Sequence, residues 1–354
     1  MKTAAETQQN LKEDWERFRA ENPRVRIRDA AARLGVSEAE LIATGTGENV
    51  VRLTDDFAAM LHELDRLGRV MALTRNEEIV HERKGVYRNA NTNLPHRMAL
   101  FVNEDIDLRI FLGAWHLGFA ATTDSPRGPM RSLQFFDAHG TAVHKIFLTE
   151  QSDSAAYREF VEKYRRADQN APLGLTAKTT KAADLPDAEI DVDGFRAEWA
   201  ALRDTHDFFP LLKKFGVGRE QALRLADPSM ARRAAPASFR FLLEKAAARR
   251  LPIMVFVGNH GIIQIHTGEV ENVVEARGWF NVMDERFNLH INQAAIESAW
   301  IVKKPTDDGT VTSLELFNKN GENVALFFGK RKPGLPEMNE WRELVDELAA
   351  SEAL

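Results

Sequence analysis

Residues 107–116, DLRIFLGAWH, are matched further along the chain by residues 288–297, NLHINQAAIE. Residues 132–136, SLQFF, are matched in the same way by residues 313–317, SLELF. The first residues of both pairs, 107 and 288 or 132 and 313, are 181 positions apart. Because two separate strings keep one spacing, we interpret the chain as two copies of a single structural unit.

Three further landmarks recur in the same order. Trp15 corresponds to Trp199 at a separation of 184, and the turn at Gly35 corresponds to that at Gly216 at a separation of 181. Near the end of each copy, apolar residues at helical spacing predict one amphipathic helix. These residues are Tyr157, Phe160, Val161 and Tyr164 in the first copy, and Trp341, Leu344, Val345 and Leu348 in the second.

Each copy is predicted to place its helices before its strands. Residues 12–42 and 195–226 show helical spacing interrupted by the glycine turns. Strands are predicted over 69–73, 98–101, 108–112 and 132–136, and again over 253–257, 262–267 and 325–328. Residues 137–140 (DAHG) and 318–321 (NKNG) read as hairpin loops. Grouped helices and strands predict an α+β fold of two tandem repeats, each a large antiparallel β-sheet with helices packed on it.

The length of 354 residues favours about two domains. Residues 169–190, rich in Ala, Thr and Pro, are predicted to be a linker. We therefore expect an N-terminal repeat over 1–168 and a C-terminal repeat over 191–354.

Composition and charge exclude several classes of function. The chain has no cysteine, so histidine and carboxylates are the strong metal ligands that remain. A formal net charge of −6 offers no general attraction to nucleic acid or to an anionic membrane. The N-terminus lacks the apolar core of a signal peptide, and no stretch approaches the length of a membrane span. We expect a cytoplasmic protein without membrane insertion.

A regulator that binds DNA is a remote alternative. Residues 28–41, RDAAARLGVSEAEL, have the helix, glycine turn and second helix of a helix-turn-helix. The second copy of this turn and the net charge of −6 argue against it, because such a protein needs a basic face for phosphates. The sequence also has no glycine-rich phosphate loop, HExxH string or GxSxG string.

His206 is the histidine that best fits a ligand. It extends a helical spacing of apolar residues formed by Phe195, Trp199 and Leu202. Such a histidine is more often a core residue than a ligand. However, the string THDFF (205–209) is predicted to end a helix, which lets the imidazole project into a cleft walled by aromatic rings. Neutral imidazole is a common iron ligand where thiolate is absent.

Arg109 is the corresponding candidate in the first copy. Strand alternation sends Arg109 and Phe111 to one face and the residues between them to the other. Such an arginine is usually a solvated surface residue. Its counterpart 181 positions on is His290, and the counterpart of His206 falls near Asn22, so the copies differ at both positions. Such divergence suits one shared asymmetric site, although drift would produce it too.

Basic residues cluster at 303–305 (KKP) and 329–333 (GKRKP), and Arg219 follows the second glycine turn. Most of them read as ordinary surface charge. An anionic ligand with two carboxylates would need a few, and arginine suits bidentate recognition of a carboxylate.

Five strings resemble the HemS/ChuS/HmuS family of cytoplasmic haem-utilisation proteins, and the resemblance runs over nearly the whole chain. They are FVNEDIDLRIFLGAWH (101–116), ALRDTHDFFPLLKKF (201–215), MVFVGNHGIIQIHTGEV (254–270), GWFNVMDERFNLHI (278–291) and AWIVKKPTDDGTVTSLELF (299–317). The resemblance implies bacterial haem uptake and iron acquisition. It also implies two similar halves that hold one haem b between a histidine of the second half and an arginine of the first.

By motif, the resemblance makes His206 the iron ligand and Arg109 the arginine on the opposite side of the haem, where it is the candidate catalytic residue. The family's basic positions, which contact the haem propionates, fall on Arg219, Lys304 and Arg331. Phe111 and Phe209, close to those two residues in sequence, could instead be ordinary core residues or cover the macrocycle.

The chain departs from the family at the rim of this expected pocket. Phe328 stands where the family commonly has tyrosine, and Leu326 stands where it often has glutamine. Polar groups that could hydrogen-bond a propionate or a distal water are therefore missing. Some relatives use a histidine of the string NEEIVHE (76–82) for a second haem, which makes His81 a further candidate ligand.

Two functions are compatible with these residues. One is a haem-degrading enzyme that uses oxygen or peroxide with an external electron donor and releases iron. The other is a non-catalytic haem chaperone or store that passes haem from an ABC importer to a separate haem oxygenase. The sequence does not separate them.

Overall fold

The computed structural model describes residues 4–125, 128–178, 184–332 and 334–351. Its backbone divides into two compact units. Unit 1 comprises Met1–Thr74, Arg83–Thr179 and Asn259–Ile263, and unit 2 comprises Arg75–Glu82, Thr180–Gly258 and Gln264–Leu354. Each unit thus takes a short segment from the other half of the sequence. The repeat limits at 168 and 191 stay a prediction.

The first half of the chain contains five helices and nine strands within the described residues. The helices are α1 (Ala4–Glu21), α2 (Ile27–Leu34), α3 (Glu38–Ala43), α4 (Phe57–His62) and α5 (Ser154–Lys163). The strands are β1 (Val50–Arg52), β2 (Gly68–Arg75), β3 (Ile79–Gly85), β4 (Asn91–Leu94), β5 (Met98–Phe101), β6 (Asp107–Phe111), β7 (Leu117–Thr123), β8 (Met130–Phe136) and β9 (Ala142–Ser152).

The described part of the second half repeats this inventory. The helices are α6 (Val192–Ala200), α7 (Phe208–Phe215), α8 (Arg219–Leu225), α9 (Ser238–Arg249) and α10 (Asn339–Ser351). The strands are β10 (Ala231–Ala234), β11 (Ile253–Asn259), β12 (Ile262–Gly268), β13 (Val273–Ala276), β14 (Trp279–Met283), β15 (Phe287–Asn292), β16 (Ser298–Lys304), β17 (Val311–Phe317) and β18 (Asn323–Gly329).

Strand order confirms the duplication. Five strands of unit 1 are neighbours in the order β1-β7-β8-β9-β2, and five strands of unit 2 are neighbours in the order β10-β16-β17-β18-β11. Three more follow the order β6-β5-β4 in unit 1 and β15-β14-β13 in unit 2. Neighbouring strands within each of these groups pair antiparallel. The prediction of an α+β fold built from two antiparallel repeats is therefore confirmed.

The register also repeats. Phe119 faces Gln134 between β7 and β8, and Trp300 faces Glu315 between β16 and β17. Leu100 faces Arg109 between β5 and β6, just as Asn281 faces His290 between β14 and β15. Equal register places residues 181 positions apart at equivalent points of the two units, so their side chains can be compared directly.

The predicted turns have the expected conformations. Gly35 after α2 and Gly216 after α7 are left-handed, with φ of 69° and 64°, a conformation in which glycine has no steric penalty. In the hairpin between β8 and β9, the Asp137 carboxylate accepts hydrogen bonds from the backbone N–H groups of His139 and Thr141. Asn318 does the same with the backbone of residues 320 and 322 between β17 and β18.

The amphipathic helices close the cores as predicted. In α5, Tyr157 and Phe160 are buried in the main core of unit 1, and Val161 packs against it half-buried. In α10, the four predicted apolar residues are buried in the main core of unit 2. Among the described residues, no helix has both the length and the apolar character needed to cross a membrane.

Candidate functional site

His206 lies outside the helix in which its spacing places it. Helix α6 ends at Ala200, so the apolar stripe of α6 does not reach His206, and that part of the prediction is wrong. His206 instead occupies a 3-10 turn, Thr205–Asp207, that leads directly into α7. The turn begins at Asp204, an extended residue whose carboxylate accepts a hydrogen bond from the His206 backbone N–H at 2.8 Å. Capping by Asp204 therefore starts a new turn here.

The imidazole of His206 is oriented by the same carboxylate. Its Nδ1 is 2.7 Å from Oδ1 of Asp204, and 91% of the side chain is exposed. Because a carboxylate can only accept, Nδ1 must carry the proton that is shared. The Nε2 lone pair of the neutral ring is then free to bind a metal, and a carboxylate on the other nitrogen raises the basicity of such a ligand. The hydrogen bonds from His206 also lower the pKa of Asp204, which keeps it ionised.

The two phenylalanines after His206 have different environments. Phe208 is buried, and its ring lies 4.6 Å from that of Trp199 in the core of unit 2. Phe209 is 71% exposed, the highest fraction among the large apolar side chains of the described residues. Of this pair, only Phe209 offers an aromatic surface to a ligand.

A buried charged cluster lies behind Phe208. Glu315 on β17 is fully buried and accepts hydrogen bonds from Arg219 at 2.8 and 2.9 Å and from Lys304 at 2.7 Å. Burial alone would raise the pKa of Glu315, but the two cations outweigh it and lower the pKa to about 2. Burial lowers the pKa of Lys304 to about 8, against the opposing attraction of Glu315.

Two of the basic residues predicted to contact haem propionates, Lys304 and Arg219, differ in their access to a ligand. The Lys304 side chain is 4% exposed and its ammonium faces Glu315 and the ring of Phe208, with Nζ 4.5 Å from the ring centroid. The geometry does not support a direct contact between Lys304 and a ligand carboxylate. Arg219 is 26% exposed and lies at the edge of the cluster. It keeps N–H donors beyond the two that bind Glu315.

The remaining predicted residues of unit 2 follow β18. Arg331 is partly exposed, and its nearest acid, Asp308, is 4.0 Å away, so that ion pair is loose. Phe328 is half-buried, with its ring 5.2 Å from that of Phe256 on β11. Leu326 is also half-buried. In the predicted basic cluster 329–333, Pro333 lies outside the described residues.

Arg109 and Phe111 belong to unit 1. The residues between and before them on β6, Leu108 and Ile110, are buried, whereas Arg109 and Phe111 are half-buried, so the predicted alternation is confirmed. The Arg109 guanidinium contacts the carboxylate of Asp107 and is 31% exposed. Burial raises the pKa of Asp107, and Arg109 offsets this only in part.

His81 has a different environment from His206. It has no exposed surface, its Nδ1 is 2.9 Å from the amide nitrogen of Gln264, and its ring lies 4.9 Å from that of Phe287. Because the amide nitrogen donates, Nδ1 acts as an acceptor here. In this structure His81 does not present a ligand to the surface of unit 2.

Two contributors to the site were missed from the sequence. Asp204 orients His206, and Glu315 accepts hydrogen bonds from both Arg219 and Lys304. The Asp-Thr-His string and the change from Gln134 to Glu315 between repeats were the available signals. No group of three or more His, Asp or Glu side chains that could hold a metal occurs among the described residues. A single exposed imidazole suits a metal whose other ligands come from a macrocycle.

The sequence model of the haemin-degrading HemS/ChuX domain matches this chain twice, over residues 35–164 and 216–348. The chain belongs to this family. The two matched segments fall on the two repeats, one in each half of the chain. Membership in the HemS/ChuX family agrees with the resemblance of the strings around residues 109 and 206.

Members of the HemS/ChuX family with similarity over the full length include a hemin transport protein, HmuS, from Yersinia pestis. It is 39% identical over 343 residues, which cover 96% of this chain and 97% of HmuS. Among solved structures, holo-PhuS, a heme-binding protein from Pseudomonas aeruginosa, is 50% identical with a TM-score of 0.93, covering 96% of this chain and 98% of PhuS. ChuS, an E. coli heme oxygenase, is 35% identical with a TM-score of 0.86, covering 96% and 99%.

Proposed function

We propose that this protein is a cytoplasmic haem-binding protein of bacterial haem uptake and iron acquisition, which binds hemin and degrades it to release iron. Family membership over most of the chain supports haem as the ligand. Its relatives include the hemin transport protein HmuS, the heme-binding protein PhuS and the heme oxygenase ChuS. Haem b is the form that the family resemblance implies.

The observation that carries the proposal is the state of His206. Its ring is exposed, held through Nδ1 by Asp204 at 2.7 Å, and left with Nε2 as the available nitrogen. This is the arrangement that an axial histidine needs, because the second hydrogen bond fixes the tautomer and the ring orientation. The exposed ring of Phe209, three residues later, would cover apolar macrocycle surface.

The anionic edge of haem would be bound by arginine. Arg219, partly exposed beside Glu315, and Arg331, whose ion pair with Asp308 is loose at 4.0 Å, are the candidates for the two propionates. Lys304 would act through Glu315 by fixing the orientation of Arg219. Bidentate donation to carboxylates explains why arginine occupies both positions.

In unit 1, Arg109 is proposed to act on the opposite face of haem, with Phe111 beside it on the same strand face. Bound haem supplies the iron chemistry that opens its own ring when electrons and oxygen or peroxide are provided. Arg109 would supply a fixed hydrogen-bond donor and positive charge beside the reacting group. Donors oriented in advance lower a barrier where negative charge develops.

A haem carrier is the second candidate, and Phe328 favours it. Phe328 and Leu326 make the expected rim apolar, whereas the family commonly has hydrogen-bonding side chains there. A less polar rim would slow degradation and leave transfer to a separate haem oxygenase as the main outcome. An importer that supplies haem and an electron donor would be the other partners.

A spectroscopic titration tests both candidates. The full chain is titrated with hemin, then given ascorbate or a reduced nicotinamide reductase system in air, with catalase in a parallel run. Loss of the Soret band with a tetrapyrrole product and released iron, diminished in Arg109→Ala, would support the enzyme. A stable spectrum with haem passing to an added acceptor protein would leave the carrier. Absence of saturable hemin binding would overturn both.

A further inference from the structure

Unit 1 contains a cavity of about 320 Å³ that involves none of the residues assigned to haem. The residues that follow β1, the start of β7 and the segment after α5 line this cavity. Arg52, Arg97 and Arg166 are among its lining residues, together with one carboxylate, Asp55. Its volume falls at the lower end of the range of about 300–1,000 Å³ that is usual for small-ligand sites. The charge of the lining is strongly positive.

Arg52 forms the inner part of this cavity. It is 5% exposed, and its guanidinium donates to the backbone carbonyls of Ala171 and, at 3.3 Å, Pro172. Burial lowers the pKa of Arg52 and the nearby positive charge of Arg166 lowers it further, whereas the carboxylates of Asp168 and Asp55 act in the opposite direction. Two arginines are thus held close enough to repel each other. An anion between them would replace this repulsion with attraction.

Arg97 and Arg166 also line the cavity, and their positive charges are available to a ligand. Within the described part of the chain neither guanidinium forms an ion pair, whereas Arg66, Arg224 and Arg240 each pair with a carboxylate. His116 holds the opposite wall, since its Nε2 donates to the backbone carbonyl of Leu173 at 3.0 Å. The hydrogen bond between His116 and Leu173 holds this part of the lining in place, and the guanidinium groups of Arg97 and Arg166 can bind an anion.

The backbone at Arg97 is unfavourable for an arginine. His96 and Arg97 have positive φ of 59° and 54°. At the equivalent turn of unit 2, Arg277 and Gly278 have φ of 55° and 79°, so glycine occupies the second position there. Left-handed backbone is free of strain in glycine and strained in other residues. Unit 1 thus keeps a charged side chain where its own repeat shows that glycine fits.

The environment of Arg52 differs between the two repeats. The counterpart of Arg52 is Arg233 on β10, which is exposed. We propose that the cavity of Arg52, Arg97 and Arg166 binds a small metabolite anion with two or more neighbouring anionic groups, either phosphates or carboxylates. Forked guanidinium groups match both kinds of group.

Calorimetric titration of the full chain tests the proposal, with pyrophosphate and citrate as probes and glycerol as the neutral control. One-to-one binding of either anion and none of glycerol is expected, and the stronger of the two probes identifies the phosphate or carboxylate class. No saturable heat with either anion at millimolar concentration would overturn the proposal.

Three variants locate the binding. Arg97→Gly removes the charge and the backbone strain together, so the thermal midpoint should not fall while anion affinity drops by about tenfold or more, the scale of one charged hydrogen bond. Arg166→Gln should weaken binding similarly. Arg165→Gln removes a neighbouring exposed charge outside the cavity lining and should leave affinity unchanged. If Arg97→Gly and Arg166→Gln both bind the anion as tightly as the unchanged chain does, the anion binds elsewhere and the proposal is overturned.

Discussion

Helices α3 and α8 occupy equivalent places in the two repeats but begin with opposite charges, Glu38 in unit 1 and Arg219 in unit 2. Glu38 forms an ion pair with Lys145. Arg219 instead binds Glu315, whose counterpart in unit 1 is the neutral Gln134. The backbone register is the same, so the difference lies in the side chains alone.

The comparison extends to the core of unit 1. There, His144 on β9 is fully buried between the hydroxyl groups of Thr74 and Tyr87, at 2.9 and 2.6 Å. Burial lowers the pKa of His144 to about 3, so this network is neutral. At the position equivalent to His144, unit 2 has Ala325. One copy thus buries a neutral polar network and the other a charged one, which lies directly behind the segment of His206 and Phe209.

This difference teaches how a duplicated fold can acquire one asymmetric site. Strand order and turns are retained in both copies, and the chemistry changes at a few inward positions. In unit 2, the buried carboxylate Glu315 fixes Arg219 next to the segment that begins at His206. We expect the charged cluster and the neutral network to respond differently to mutation and to pH.

The largest effect is expected from Glu315→Gln, which gives unit 2 the residue of unit 1. Lys304 and Arg219 would then be buried without their counter-charge, and breaking such a pair costs about 3–5 kcal/mol. Urea denaturation would measure the loss. The double variant Glu315→Gln, Lys304→Thr removes one of the stranded charges and should recover part of the stability. A loss below about 1 kcal/mol for the single variant would contradict the account.

Acid should affect the two units over different pH ranges. His144 has an ordinary pKa of 6.5 and a folded pKa of about 3, so below pH 6.5 the unfolded chain binds a proton that the folded chain does not. Stability is therefore lost as pH falls from 6.5 toward 3, by about 2 kcal/mol at pH 5. For Glu315, whose pKa is lowered from 4.5 to about 2, stability is lost only between those values.

Urea denaturation at pH 7 and pH 5 tests whether His144 causes the loss of stability in this range. His144→Leu should lower stability at pH 7, because Thr74 and Tyr87 lose their partner, but it should flatten the dependence between pH 7 and 5. An unchanged pH dependence in this variant would show that another group is responsible.

A moderate effect is expected from Asp204→Asn. Asparagine can still accept the hydrogen bond from Nδ1 of His206, but it lacks the charge that raises ligand basicity. Haem affinity should fall by about 10- to 100-fold, with a higher reduction potential of the bound iron. Asp207→Asn, an exposed acid on the same turn, is the matched control and should leave both quantities unchanged. Equal behaviour of the two variants would remove Asp204 from the site.

The smallest effect is expected from Phe328→Tyr. The side chain is half-buried against Phe256, so a hydroxyl can be added at its edge without a new cavity. One hydrogen bond between neutral groups, such as the tyrosine hydroxyl and a distal water, is worth about 1 kcal/mol, which corresponds to about fivefold slower hemin dissociation. Stopped-flow transfer of hemin to apomyoglobin measures it. No change would indicate that the rim at Phe328 does not reach haem.

Sequence reasoning succeeded where a local pattern has only one structural solution. The repeat spacing of 181, the glycine turns at 35 and 216 and the hairpin loops are all found in the structure. Strand alternation also placed Arg109 and Phe111 on the half-buried face of β6.

Sequence reasoning failed where a side chain that is not part of the local pattern determines the helix boundary or the burial of a residue. The helix predicted to carry His206 ends at Ala200, because Asp204 caps a separate turn. Lys304 reads as a surface lysine, yet it is buried because Glu315 neutralises it from the adjacent strand. Neither effect is visible in the spacing of apolar residues.

The most direct test of the account is a hemin titration of His206→Ala beside the unchanged chain. His62→Ala is the control, since His62 is another exposed histidine, bonded to Thr92 within unit 1. We predict a shifted or absent Soret band and affinity weaker by at least about tenfold for His206→Ala, with no change for His62→Ala. An unchanged spectrum and affinity for His206→Ala would contradict the assignment of His206 as the iron ligand.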